Sequence, residues 1–380
     1  MAITDPARAA FDAPIDPDFD TPRPHAHHRH GWWWKTLLLG LALWIITIIV
    51  TLVTLNVNLV PTIILIGSFL VPFTVVLFVI ERVTGTVSTL QLIVAFFVGG
   101  ILGVLGASLL EANLSNTVFV YLLVGFVEEF VKGVLLLVIG WRVRPKNARQ
   151  GALLGATVGA GFAAFESAGY AFNAAITTRG IDLYSLLQTE VIRAVLSPVG
   201  HVLWTAILGA VVFGLAHGRA KFRWSWMALV AYVVVSLLHG IWDSTAGVAQ
   251  FLARAFTGTL SVDLRALSPA ELTTVGSLTT VLYVLGIAIV SIIGVVLLIA
   301  VLVHYARAAR RAQQRLGTPS GQQSGPPLQH QQQHWTTDGR PAVPGAGPAG
   351  GMPTWPAAPH LQSDPTNAGW HGTPPPAAPR

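Results

Sequence analysis

The chain of 380 residues contains no cysteine. That excludes disulfides, thiolate nucleophiles and Cys-ligated zinc or iron–sulfur clusters, so any metal must be held by histidine and carboxylate. Charge is scarce as well: 11% of residues are Asp, Glu, Lys or Arg, against about a quarter in soluble domains. Hydrophobic residues make up 53%, and an ordinary soluble globule is excluded. The net charge of +6 does not indicate nucleic acid, because the basic residues fall in short clusters beside apolar stretches and form no stripe. No HExxH, GxSG or GxGD motif occurs; the nearest approach, Gly106-Ala107-Ser108-Leu109, lacks the last glycine. Zincin, serine and aspartyl types of membrane protease are thereby disfavoured. The first apolar run begins only after a polar, Pro- and His-rich lead and is too long for a signal-peptide core, so it reads as a retained anchor.

What is abundant is long apolar runs. Eight stretches, near 33–55, 59–80, 89–110, 117–140, 151–175, 195–217, 225–250 and 276–304, are long enough for a hydrocarbon core that takes about 20 helical residues to cross. The expected fold is all-α: a polytopic helical membrane protein of about eight transmembrane helices over 32–305. Residues 1–31 and the Gln-, Gly- and Pro-rich 306–380 are expected to be disordered cytoplasmic tails. Arg82, Arg142, Arg144, Lys146, Arg149, Arg219, Lys221, Arg223 and Arg307 flank the spans on one side. Arg179, Arg193, Arg254 and Arg265 flank them on the other. By the positive-inside rule both termini are cytoplasmic, in a multi-pass protein of the cell membrane. Trp32, Trp33 and Trp34 mark an interface, and the HAHHRH run at 25–30 reads as spacer. Glycines at small-xxx-small spacing in the third and fifth spans predict close approach of neighbouring helices.

The chemistry lies inside these runs. Glu128 and Glu129 sit half-way through VYLLVGFVEEFVKGVLLLVIG, with Lys132 one turn beyond Glu128. A charged residue at a helix centre costs roughly 2.5–3.5 kcal/mol on insertion, so such residues are rare without function. An ion pair with Lys132 accounts for one glutamate and not for two. The fifth span adds Glu166, the sixth His201, and the seventh His239 and Asp243, which are four apart and share a helix face. Asp243 can then fix the imidazole tautomer, or both groups can face one metal or water. Arg193, two turns before His201, can pair with a carboxylate or bind a substrate carbonyl. Four acids against Lys132 and Arg193 leave −2, which suits one divalent cation or two protonated histidines. Either solution generates hydroxide from water and points to a hydrolase.

These residues resemble the PrsW family of intramembrane proteases, more distantly related to the CAAX-processing and bacteriocin-processing membrane proteases. Glu128-Glu129-Phe130-Val131-Lys132 matches its EExxK and Phe162-Ala163-Ala164-Phe165-Glu166 its FxxxE. His201 matches the isolated histidine and His239-Gly240-Ile241-Trp242-Asp243 the HxxxD, all in order over roughly 33–305. Where the family often has Asn after the FxxxE glutamate, this chain has Ser167, whose hydroxyl can still hydrogen bond. The resemblance implies proteolysis of a membrane-bound, single-span substrate, anti-sigma-factor-like, near the extracytoplasmic side. Expected roles follow: Glu128 and Glu129 activate water, His201 and His239 bind metal or stabilise the oxyanion, and Asp243 and Glu166 orient them. Lys132 and Arg193 support the site or bind substrate. If a divalent metal such as zinc is used, the ligands named are His201, His239 and Glu166. Two other functions account for the same groups: a proton-coupled transporter or channel with Glu, His and Asp as relay, and a membrane scaffold recruiting partners through its tail.

Overall fold

The structure is a computed structural model describing residues 31–82, 87–114, 119–178 and 180–317. The expectations for residues 1–30 and 318–380 lie outside the described residues. In chain order the helices are α1 (Trp32–Thr54), α2 (Val60–Ile80), α3 (Thr89–Glu111), α4 (Val120–Gly140), α5 (Ala148–Ala175), α6 (Leu183–Leu196), α7 (His201–Leu215), α8 (Trp226–Phe256) and α9 (Pro269–Gly317). A two-stranded antiparallel hairpin, β1 (Ile176–Thr177) and β2 (Gly180–Ile181), joins α5 to α6. Among the described residues, seven stretches are long and apolar enough to cross a membrane, with α6 and α7 counted as one, Leu183–Leu215. α4 is also long enough. It is set apart only by Glu128, Glu129 and Lys132, all buried within the protein. The chain is a polytopic helical membrane protein.

The sixth crossing differs from the single run expected over 195–217. It starts at Leu183 and is broken by a 3-10 turn at Ser197–Val199 and by Gly200, at φ −104° and ψ −119°. Pro198 has no amide proton to give the helical ladder and Gly200 leaves the helical region, so α6 ends as a half-length helix and α7 starts afresh at His201. At the other end of the chain, α9 runs past residue 305 to Gly317. Its last segment, ARAARRAQQRLG, is built of strong helix formers with no breaker before the glycine.

α5 is the central helix, and glycine puts it there. A Cβ on Gly161 would stand 1.9 Å from the Phe96 carbonyl oxygen of α3; on Gly155, 2.2 Å from the Thr205 carbonyl of α7. Gly151 and Gly209 abut each other's backbones in the same way. Between lipid-soluble helices there is little hydrophobic drive, so close backbone approach and dispersion hold the bundle together. One layer of the core joins Val76, Phe96, Leu136, Leu154, Val202 and Phe213; another joins Trp204, Ile207, Val235 and Val290.

The α4–α5 connection is tied down by Lys146. Its ammonium donates to the carbonyls of Val143 (2.7 Å), Ala220 (2.7 Å) and Trp141 (3.2 Å) and lies over the Phe222 ring. Asn147 and Gln150 then form a capping box that starts α5.

Candidate active site

Four helices carry the candidate groups, and local contacts between helices set their heights. α4 and α8 cross with Gly125 against Gly240, where a Cβ on Gly125 would be 2.7 Å from the Gly240 nitrogen and the Ser236 carbonyl. That contact lays the Glu128, Glu129 and Lys132 turn of α4 beside His239. On the other side, Gly159 meets the His201 backbone, its Cβ position 2.3 Å from the carbonyl. The first residue of α7 is thus drawn into the same layer as Glu166 on α5.

Every residue expected at the site is in this layer. Lys132 Nζ is 2.7 Å from Glu129 Oε1 and 3.3 Å from Glu128 Oε2, and it donates to His201 Nδ1 at 3.0 Å. The other nitrogen of that imidazole, Nε2, is 2.8 Å from Glu166 Oε2. His239 repeats the pattern: Nδ1 is 3.0 Å from Glu129 Oε1, while Nε2 faces Glu128 Oε2 at 3.6 Å and Asp243 Oδ2 at 3.4 Å. The two imidazoles meet edge to face with centroids 4.9 Å apart. Arg193 reaches in from α6, pairing with Glu166 and donating from Nε to Ser167 Oγ at 2.8 Å. Ser167, which follows the FxxxE glutamate, is therefore an acceptor for that arginine.

The layer is closed at one end and open at the other. Glu129, Lys132 and His239 are buried, whereas the side chain of Asp243 is 25% exposed and that of Arg193 23%. The opening lies toward the C-terminal end of α8 and the N-terminal end of α4, the side that carries the β1–β2 hairpin.

The donors fit a metal ion. Glu128, His201 and His239 each offer a ligand atom, all within 4.8 Å of one another. The separations from Glu128 Oε2 to the two imidazole nitrogens, 3.7 and 3.6 Å, are near the edge of a zinc tetrahedron, about 3.4 Å for ligands about 2.1 Å from the ion. Both ring nitrogens of His239 are buried without a hydrogen bond among the described residues, and each histidine has its outer nitrogen within 3.0 Å of a carboxylate oxygen, the setting in which metal-bound imidazoles are found. In this arrangement the third candidate ligand is Glu128; Glu166, named with the two histidines from the sequence, holds the far side of His201.

Several contributors are not evident from the motifs. The Lys132 ammonium lies 4.2 Å from the Phe162 ring centroid, which gives the first residue of the FxxxE motif a physical purpose as a cation platform. Tyr170 stacks on the Arg193 guanidinium, 4.2 Å from the ring centroid. Glu111, the last residue of α3, has a shielded Oε1 with no hydrogen-bond partner among the described residues. It feels the charges of Glu166, Lys132, His239 and Asp243. A glutamate at a span end reads as interfacial in the sequence, and only the seating of α3 against α4 and α5 brings it near the site.

The sequence profile of the PrsW family of intramembrane metalloproteases matches residues 31–266. No curated protein and no solved structure matches the chain. The profile spans α1 through α8 and so includes every residue of the layer described above. The chain belongs to the PrsW family of intramembrane metalloproteases, multi-pass hydrolases that cut membrane proteins within the bilayer.

Proposed function

We propose that peptide hydrolysis takes place at the layer formed by Glu128, Glu129, Glu166, His201, His239 and Asp243, with Lys132 and Arg193 in support. The observation that carries the reading is the doubled carboxylate–imidazole pattern: two histidines, each backed by its own glutamate, with their inner nitrogens converging on Glu128 Oε2. Glu128, His201 and His239 would hold a divalent metal, zinc by the donor set; Glu129 and Glu166 orient the imidazoles and raise their basicity. When bound, the metal supplies Lewis-acid polarisation of the scissile carbonyl and a lowered pKa for water. Asp243, at the open end, is placed to accept the proton of the attacking water at Oδ2 and return it to the leaving amine. Arg193, steadied by Glu166, Ser167 and Tyr170, presents its guanidinium edge to the substrate carbonyl.

Charge supports the assignment. The four acids and two cations of the layer sum to −2 when ionised, and buried charge of that size is stable only when neutralised. A divalent cation closes the balance, as two protonated histidines do in its absence. The substrate is a single-span membrane protein, anti-sigma-factor-like, cut near the extracytoplasmic side. The supporting observations are the opening toward the end opposite Lys146, Arg149 and Arg219, and the positive-inside rule, which puts those basic residues and both termini in the cytoplasm of a cell-membrane protein. The test uses purified protein in liposomes with a labelled single-span substrate. Wild type is expected to cleave, to stop with chelator and to recover with zinc, and Glu129→Gln to need about 10–100-fold more zinc for the same rate. Cleavage by Glu128→Ala or His239→Ala at the wild-type rate would remove this site from the reaction.

A further inference from the structure

Outside the catalytic layer, a further carboxyl group is buried at membrane depth. Glu190 on α6 is 2% exposed at membrane depth, among helices α1, α2 and α6. Its Oε2 accepts from Trp44 Nε1 of α1 at 2.9 Å. Its carboxyl group fills the space left by Gly67 of α2, where a Cβ would stand 2.4 Å away. The second oxygen, Oε1, is shielded and has no hydrogen-bond partner, and no cation pairs with the group among the described residues. A leucine would fill this volume without the cost of placing a carboxyl group in hydrocarbon, so space-filling does not explain the residue.

Its position along the chain does. Glu190 is three residues before Arg193 on the same side of α6, about 4.5 Å along the axis. α6 is a half-length helix with no continuous helix on either side of it in sequence, and its apolar side seats Leu186 among Ala171 and Ala175 of α5 and Ile63 and Ile64 of α2. The β1–β2 hairpin precedes it, and the break at Pro198 and Gly200 separates it from α7. Packing on α5 and the contacts with α1 and α2 together fix where Arg193 meets Glu166, and on the α1 side the side-chain hydrogen bond is the one Glu190 accepts from Trp44. We propose that Glu190 is a positioning residue: its carboxyl group, acting as a hydrogen-bond acceptor for Trp44 over the bare face of Gly67, pins α6 and thereby holds Arg193 in the catalytic layer. The acceptor matters and the charge does not.

The effect on turnover rests on the proposed peptidase reading; the effect on helix position does not, and the experiment reads both. The absence of native cysteine allows spin labels at Leu52→Cys on α1 and Tyr184→Cys on α6, both exposed positions, with no background. The inter-label distance distribution is expected to be narrow in the otherwise unaltered chain and in Glu190→Gln, and broadened in Glu190→Leu, Trp44→Phe and Gly67→Ala. In the liposome assay, Glu190→Gln is expected within about twofold of wild type, and Glu190→Leu about tenfold lower in kcat with little change in KM. Adding Glu190→Leu to Arg193→Ala should cost nothing further, a non-additivity that general loss of stability would not produce. A distribution in Glu190→Leu as narrow as in the unaltered chain overturns the proposal, as does full additivity with Arg193→Ala. If wild type fails to cleave while the labels behave as expected, the peptidase reading fails and the pin stands.

Discussion

Lys132 occupies the centre of a competition. Its ammonium contacts Glu128, Glu129 and His201 Nδ1, and two of those three are candidate metal ligands, so with an ion in place its charge must be satisfied mainly by Glu129. It supplies one of only two positive charges among four acids, and removing one partner of a buried pair costs about 3–5 kcal/mol. Lys132→Met is therefore expected to lower thermal stability by that order, read by tryptophan fluorescence on heating, and to lower it less when zinc is present. The carboxylates behind the imidazoles make a different prediction. Glu129→Gln and Glu166→Gln leave the inner nitrogens in place and should weaken zinc about 10–100-fold, the usual effect of losing such support. His239→Ala should abolish stoichiometric binding. Equilibrium dialysis against zinc distinguishes the two classes, and equal losses in all three variants would dissolve the distinction between ligand and support.

At this scale much is legible in the sequence. Glu128, Glu129, Glu166, His201, His239 and Asp243 stand out because a charge or imidazole in an apolar run has no cheap explanation, and the structure brings all six together. What spacing cannot tell is which atom of each faces inward. Glu166 and Glu128 are both one carboxylate on one helix in the sequence, and only the Glu166 contacts to Arg193 and His201 Nε2 separate their roles. Glu190 escapes a reading that starts the sixth span at 195, because the residue then falls in a loop, where a glutamate is unremarkable.

Elements meet through absent side chains. The Gly161 contact with the Phe96 carbonyl is backbone to backbone, so no rotamer change relieves an added side chain. Gly161→Val forces α3 and α5 apart, and overpacking of this kind costs typically about 1–3 kcal/mol or more. A drop in thermal midpoint together with lost folded yield is expected, whereas Gly169→Ala, with open space around it, should be silent. The Lys146 latch predicts a pH effect outside the spans. Burial, helped by Arg144, pushes the ammonium down to about 8 from the ordinary 10.5. Between those values the unfolded chain binds more protons than the folded one, so stability rises with pH across that window and the destabilising contribution is complete below it. In Lys146→Met this rise should vanish. The same variant leaves the Val143 and Ala220 carbonyls without their donor, about 1–3 kcal/mol for each buried group that finds no other partner.

For the whole molecule, the side the site faces decides which part of a substrate it can reach. The last helix gives a handle on it. α9 runs from Pro269 to Gly317, about 73 Å at 1.5 Å per residue, more than twice the hydrocarbon thickness of about 30 Å. It must project from the membrane at one end. The projecting end carries exposed Arg307, Arg310 and Arg311, and the exposed Tyr184 lies beside the hairpin at the open end of the site. Single cysteines at these two places should report opposite faces. In intact cells, Tyr184→Cys is expected to react with a membrane-impermeant maleimide, and Arg310→Cys only after permeabilisation. The substrate should then be cut on its extracytoplasmic side, and moving its scissile segment across the membrane should abolish cleavage without affecting binding. Reaction of Arg310→Cys in intact cells would invert the protein, turn the pocket toward the cytoplasm and require that substrates be sought among proteins cleaved on that face.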